Sequence, residues 1–214
     1  MKKSILTVAV LATMAGHGAW AAENKVVPEK ALINGVEKEA VITGTKYTFG
    51  NNGDTAVFGN GETDYGLAAN SYVSPLDVNV LGKDISITGK FRAVYATWQV
   101  KKDDKVTVNI GNENTESIFL NQTGGLHKDG SSALTILDKG TTANVTAKKI
   151  KIVSNGTYAV NSSGLDDTQD TKTVLTLKGD SIEVQNTATE GVGLAAYSGG
   201  TLNVEGNLVV TADH

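Results

Sequence analysis

The side chains able to do chemistry in this chain are few, so their spacing decides quickly what chemistry is open to it. Three histidines occur, and His127 lies in Gly124-Gly125-Leu126-His127-Lys128-Asp129-Gly130, a loop by composition. A Ser/His/Asp relay needs a serine presented on a sharp strand-to-helix turn, and no nucleophile-elbow pattern is present. His127 therefore reads as an exposed loop residue, and His214 as a terminal residue without context. Asp166, Asp167 and Asp170 place three carboxylates within five positions. Oxygen ligands so close together could hold Ca²⁺, but they follow neither EF-hand spacing nor the Gly-Gly-x-Gly-x-Asp nonapeptide, and a solvated loop is the expectation. Asp84, Asp180 and Glu183 are scattered among Thr, Asn, Ser and Lys, with no basic group recurring beside them. Paired carboxylates of a sugar-cleaving enzyme are not evident in that pattern. The triplets Asn121-Gln122-Thr123, Asn144-Val145-Thr146 and Asn161-Ser162-Ser163 fit a glycosylation sequon, for which stacked Asn or Thr ladders are the structural alternative. No catalytic, metal-binding or cofactor-binding residue is expected.

The elements that carry these residues begin after a leader. Met1-Lys2-Lys3, an apolar run from Ile5 to Ala15, and Ala19-Trp20-Ala21 form the pattern of a secretory signal peptide cleaved after Ala21. The run is too short for the ~20 residues of a membrane-spanning helix. Removal of residues 1–21 takes Lys2 and Lys3 with it, so 19 basic groups become 17 against 23 acidic ones, a net charge of −6 over 193 residues. That balance excludes a nucleic-acid surface, which needs a basic patch to displace phosphate counterions. Cysteine is absent. Repeat folds bury enough surface to do without disulfides, and a chain that crosses a second membrane unfolded is better without them.

Short alternating triplets recur: Val78-Asn79-Val80, Val106-Thr107-Val108, Leu134-Thr135-Ile136, Leu175-Thr176-Leu177 and Leu202-Asn203-Val204. Their first residues are 28, 28, 41 and 27 positions apart, a period near 28 with one interval lengthened by insertion. A turn and a second alternating stretch follow, as in Asn79–Ile87 and Thr176–Val184, with Asn144–Ile152 keeping the rhythm without its glycine. Gly156–Gly164 and Gly191–Gly200 form a third, small-residue strand, and Glu116–Gly125 reads as a looser copy. Period-two alternation puts Val, Leu and Ile on one face and Thr, Asn, Lys and Glu on the other. Three short strands in ~28 residues predict an all-β fold, a right-handed parallel β-helix whose coils must stack to satisfy their backbone groups. An antiparallel sandwich would explain the strands but not the recurrence. Residues 22–76, aromatic-rich and glycine-punctuated, are expected to form an N-terminal cap and irregular first coils. Residues 77–214 are expected to form the repeats, truncated and uncapped at His214.

Signal peptide, aromatic cap, and coils of the Leu-Thr-Leu-Lys-Gly-Asp-Ser-Ile-Glu-Val type ending in Ser-Gly-Gly resemble the N-terminal part of a bacterial autotransporter passenger, pertactin-like and adhesin-type. The resemblance covers most of residues 30–214 and rests on rhythm and composition. It implies an exported scaffold at the cell surface, in the outer membrane or in the extracellular space, binding host or cell-surface ligands. It also implies an outer-membrane β-barrel translocator as partner, and no run of ~10-residue barrel strands occurs in this chain. The alternative function is a polysaccharide-active β-helix lyase or hydrolase.

Overall fold

The computed structural model describes residues 25–71, 75–98, 105–127, 129–138, 140–164 and 173–213. The leader, Asp166, Asp167, Asp170 and His214 lie outside the described residues, as does Lys101-Lys102-Asp103-Asp104. Among the described residues every regular element is a strand. The chain opens with four short strands, β1 (Lys25–Val27), β2 (Lys30–Ile33), β3 (Val36–Glu39) and β4 (Val41–Thr43). These pair antiparallel with one another or with the next strands, β2 with β3, β4 with β5 (Lys46–Phe49), β2 with β6 (Thr55–Phe58) and β1 with β7 (Tyr65–Ser71).

From β5 onward the chain repeats a three-strand pass. After β5-β6-β7 come β8 (Leu76–Val80), β9 (Asp84–Gly89) and β10 (Arg92–Trp98), then β11 (Val106–Gly111), β12 (Ser117–Gln122) and β13 (Ser132–Leu137). The next pass is β14 (Thr141–Thr146), β15 (Lys149–Ser154) and β16 (Tyr158–Ser163). In the last two, the first and second strands fuse into β17 (Thr173–Asn186), followed by β18 (Val192–Tyr197), and into β19 (Gly200–Ala212). Each strand pairs parallel and in register with its counterpart one pass away. Val78, Val108, Ala143, Leu175 and Leu202 form one ladder, and Ile85, Ile118, Ile150, Ile182 and Leu208 a second. Leu67, Val94, Leu134, Val160 and Leu194 form the third, in a separate six-stranded sheet. The first two ladders belong to one larger sheet, which bends between Lys178 and Ser181 of β17.

All three ladders send residues into one core, and the strands of the larger sheet do so alternately. In β8, Leu76, Val78 and Val80 are buried while Asp77 and Asn79 are partly open, and β9 and β12 alternate likewise. The first pass fills its share with an edge-to-face pair, Phe49 and Phe58, whose centroids lie 5.0 Å apart. Aliphatic side chains fill the later passes.

Two details of the expected repeat are corrected. Leu134-Thr135-Ile136 does not continue the Val78 ladder. It belongs to β13 in the six-stranded sheet, and Ala143-Asn144-Val145 of β14 takes the expected place. Ladder intervals from Val78 are therefore 30, 35, 32 and 27 residues, and the interval of 41 was a comparison across two sheets. Likewise Ser117–Gln122 pairs β9 and β15, so it is a second strand and not a third. Period-two alternation is the same in every half-buried strand, so similar triplets cannot report which sheet they enter.

An outward column of asparagines ties three passes together. Asn109 Nδ2 donates to Asn79 Oδ1 at 3.1 Å, and Asn144 Nδ2 donates to Asn109 Oδ1 at 2.9 Å. Asn144 of the second sequon is thus a ladder member, and Asn161 of the third is only 4% exposed. Asn109→Ala removes both bonds, with an expected cost of about 1–2 kcal/mol, measured by urea unfolding. Replacing Thr107, outward on the same strand, by alanine is the control and should cost less.

Candidate functional site

Among the described residues, the outer face of the six-stranded sheet gathers most of the aromatic side chains that the core does not use. The placement follows from a corner at the start of each strand. Ala93 and Val94 are adjacent yet both buried in the core, as are Ala133 and Leu134, and Ala159 and Val160. Two successive inward residues bend the strand and leave the residues on either side of the pair facing out. Arg92 and Tyr95 flank the first pair in this way.

Around Arg92 the groups interlock. Its guanidinium carbon lies 4.4 Å from the Phe91 ring centroid and 4.3 Å from that of Tyr95. Tyr65, from the preceding pass, stacks on Tyr95 with centroids 5.6 Å apart and meets Phe91 edge-on at 6.0 Å. Arg92 Nη2 donates to the carbonyls of Asp129 and Gly130 at 3.1 and 3.0 Å, which pins the loop before β13. That loop carries His127, whose ring meets Phe91 edge-on at 4.8 Å. Two passes further on, Tyr158 and Tyr197 face each other at 6.3 Å, and Asn161 Nδ2 donates to the Tyr197 hydroxyl at 3.4 Å. Where the strands of this sheet turn toward the larger one, the Thr97 hydroxyl donates to the buried Asp138 carboxylate and the Thr173 hydroxyl to the Asp138 carbonyl, joining successive passes.

Burial raises the ionisation of the Tyr65 and Tyr95 phenols above their ordinary range, opposed by the nearby Arg92 charge. A phenol that resists ionisation in the folded state stabilises the fold below the free tyrosine range near pH 10, and that stability is lost as pH rises above it. Alkaline unfolding followed by circular dichroism should therefore steepen above about pH 10, with less steepening in a Tyr65→Phe/Tyr95→Phe variant. Arg92→Ala leaves two carbonyls without their charged donor and should cost about 2 kcal/mol. Limited proteolysis is the sharper readout, with cleavage newly appearing within residues 124–131.

The structure places the expected residues as follows. His127 is half exposed. Its Nδ1 accepts from the Asp129 amide at 3.2 Å and lies 3.5 Å from the Asp129 carboxylate, and the Ser131 hydroxyl turns instead to the Gly125 carbonyl. No serine hydroxyl bonds to His127 among the described residues. Asp84 accepts from the Ser117 hydroxyl. Glu183 does have a basic neighbour, contrary to the sequence reading: Lys151, one pass away in register, reaches it at 3.0 Å. Thirty-two residues of separation hid that pairing. Among the described residues no His, Asp or Glu side chains cluster as metal ligands. The Arg92 group was missed because its members come from three passes. Only Phe91-Arg92 followed by Tyr95 was visible as a local signal.

No protein-family profile matches the chain. Neither the curated proteins nor the solved structures contain a match to it.

Proposed function

We propose that the chain is a right-handed, three-sided parallel β-helix of the autotransporter-passenger type, exported across the inner membrane and displayed at the bacterial surface as a binding scaffold. Supporting this is one observation above all. Three ladders run parallel and in register through successive passes around a single core, with antiparallel strands, among the described residues, at the head only. Such an architecture supplies long, regular outer faces, which suits contact with an extended ligand. The face with Tyr65, Phe91, Tyr95, Tyr158 and Tyr197 is the one on which ligand contact is assigned, because partly open aromatic rings give the largest contact area at low entropic cost.

Export and binding are tested together. Expressed in a Gram-negative host, the chain should be recovered starting at Ala22, and the purified protein should adhere to host cells. Tyr158→Ala/Tyr197→Ala should cut adhesion at least tenfold with an unchanged β-type circular dichroism spectrum. An unprocessed cytoplasmic chain would sink the export reading. Absence of adhesion, or cleavage of acidic glycans with or without Ca²⁺, would sink the scaffold reading in favour of a polysaccharide-active enzyme.

A further inference from the structure

Arg92 carries a charge that no carboxylate around it neutralises. It is 7% exposed at the start of β10, with Tyr65 of β7 and Ser132 of β13 as its register neighbours. Buried charges are ordinarily paired with an opposite charge and fully hydrogen-bonded, because desolvation is otherwise uncompensated. Here Nη2 donates to the Asp129 and Gly130 carbonyls, and Nε has no hydrogen-bond partner among the described residues. A buried donor left without an acceptor is uncommon enough to require an explanation, and a ligand that brings the acceptor is one.

Three acids border the group, and none gives Arg92 its carboxylate. Asp129 offers its carbonyl and turns its carboxylate to His127 Nδ1 at 3.5 Å. Asp64, beside Tyr65, accepts the Arg92 backbone amide at its carbonyl, at 2.9 Å. Asp138, whose charge is felt by Tyr95, takes the Thr97 hydroxyl on its carboxylate. Among the described residues Arg92 forms no ion pair. Instead its guanidinium lies between the Phe91 and Tyr95 rings, at 4.4 and 4.3 Å, and these rings and Tyr65 are partly open to solvent.

We infer that Arg92 binds the carboxylate of an acidic sugar, whose ring packs against Tyr65, Phe91 and Tyr95. This names the ligand class for the aromatic face already assigned to ligand contact, and it rests on that assignment. The planar guanidinium matches a carboxylate in geometry, and bonds to a charged acceptor are stronger than those to a neutral carbonyl. One guanidinium balances the single charge of a carboxylate. A phosphate brings more than one charge, beside Asp64 and Asp129, where like charges repel. Partly open aromatic rings favour a ligand with a flat C–H face of its own, which a sugar ring has and the end of a peptide chain lacks. Rotation of the partly exposed Phe91 side chain opens the path to the guanidinium without moving the backbone.

The test is calorimetric titration of the purified full chain with an oligogalacturonate, its carboxyl-reduced form, sialyllactose and lactose. At least one acidic probe should bind at least tenfold more tightly than its neutral counterpart. The oligogalacturonate arm reads carboxylates within a glycan, and the sialyllactose arm reads a terminal one. Arg92→Lys keeps a cation for the two loop carbonyls but loses the planar fork. It should reduce the preference at least fivefold while circular dichroism and proteolysis of residues 124–131 stay unchanged. Should this variant unfold, the wild-type probe pairs decide alone. Lys151→Ala removes a cation on the other sheet and should leave the preference intact. Equal affinity within both probe pairs, a preference that survives Arg92→Lys, or tighter binding of the tripeptide Ala-Ala-Phe would overturn the inference. If host-cell adhesion persists without an acidic preference, the ligand class fails and the scaffold reading stands. If neither adhesion nor glycan binding occurs, both fail.

Discussion

Leu120→Asp leaves no folded protein. Leu120 is fully buried in β12, between Ile87 and Ile152 of the neighbouring passes. Truncating such a side chain costs about 2–5 kcal/mol in lost transfer energy and cavity. A carboxylate there adds a desolvation penalty of several kcal/mol with no basic group in the core to offset it. Together these approach or exceed the roughly 5–15 kcal/mol that holds an ordinary domain. The penalty is also not confined to one pass, because each strand's backbone bonds depend on both neighbours. The expected result is loss of the β-sheet circular dichroism signal and full protease sensitivity. Asn121→Asp, the next residue and outward-facing, should stay within about 0.5 kcal/mol by urea unfolding. If both variants fold equally well, the assignment of inward and outward faces is wrong.

The second large effect comes from the backbone. A Cβ placed on Gly89 would lie 2.0 Å from the Arg92 carbonyl oxygen and 2.7 Å from the Gly66 amide nitrogen. The first contact is across the corner from β9 to β10, and the second is with the preceding pass. Both neighbours are main chain, so neither can yield by changing rotamer. Gly89→Ala must open the corner or spread two passes, and the expected loss is about 4 kcal/mol, among the large values that point to a specific mechanism. The displacement should also disturb Arg92, three residues on, so cleavage in the 124–131 loop should increase beyond what global instability explains. An alanine variant with wild-type urea midpoint would contradict the corner geometry.

How much of this was legible beforehand can be judged from particular residues. Alternation in Leu76–Val80 and Asp84–Gly89 reported burial correctly, because a strand's two faces are set by a period of two whatever surrounds it. The phrase shared by Asn79–Ile87, Asn144–Ile152 and Thr176–Val184 identified strands that do stack in register. Leu134-Thr135-Ile136 was misplaced for the same reason that the rest succeeded. A triplet with the right alternation fits any of the three ladders, and only pairing partners say which.

The chemistry divides along the same line. That His127 sits in an exposed loop could be anticipated from the glycine-rich composition of Gly124–Gly130. That Arg92 draws together Tyr65, Phe91, Tyr95 and the His127 loop could not, since those groups join only when passes 27 to 40 residues apart come into register. The Lys151–Glu183 pair and the Asn79–Asn109–Asn144 column arise in the same way. The amino-acid sequence by itself determined the all-β class, the three-strand unit and the inward-facing side chains, because each depends on local period and turn residues. Tertiary structure alone decided which strand meets which and which polar groups become partners. Those properties belong to neighbours in space, and parallel stacking makes neighbours of residues about thirty positions apart.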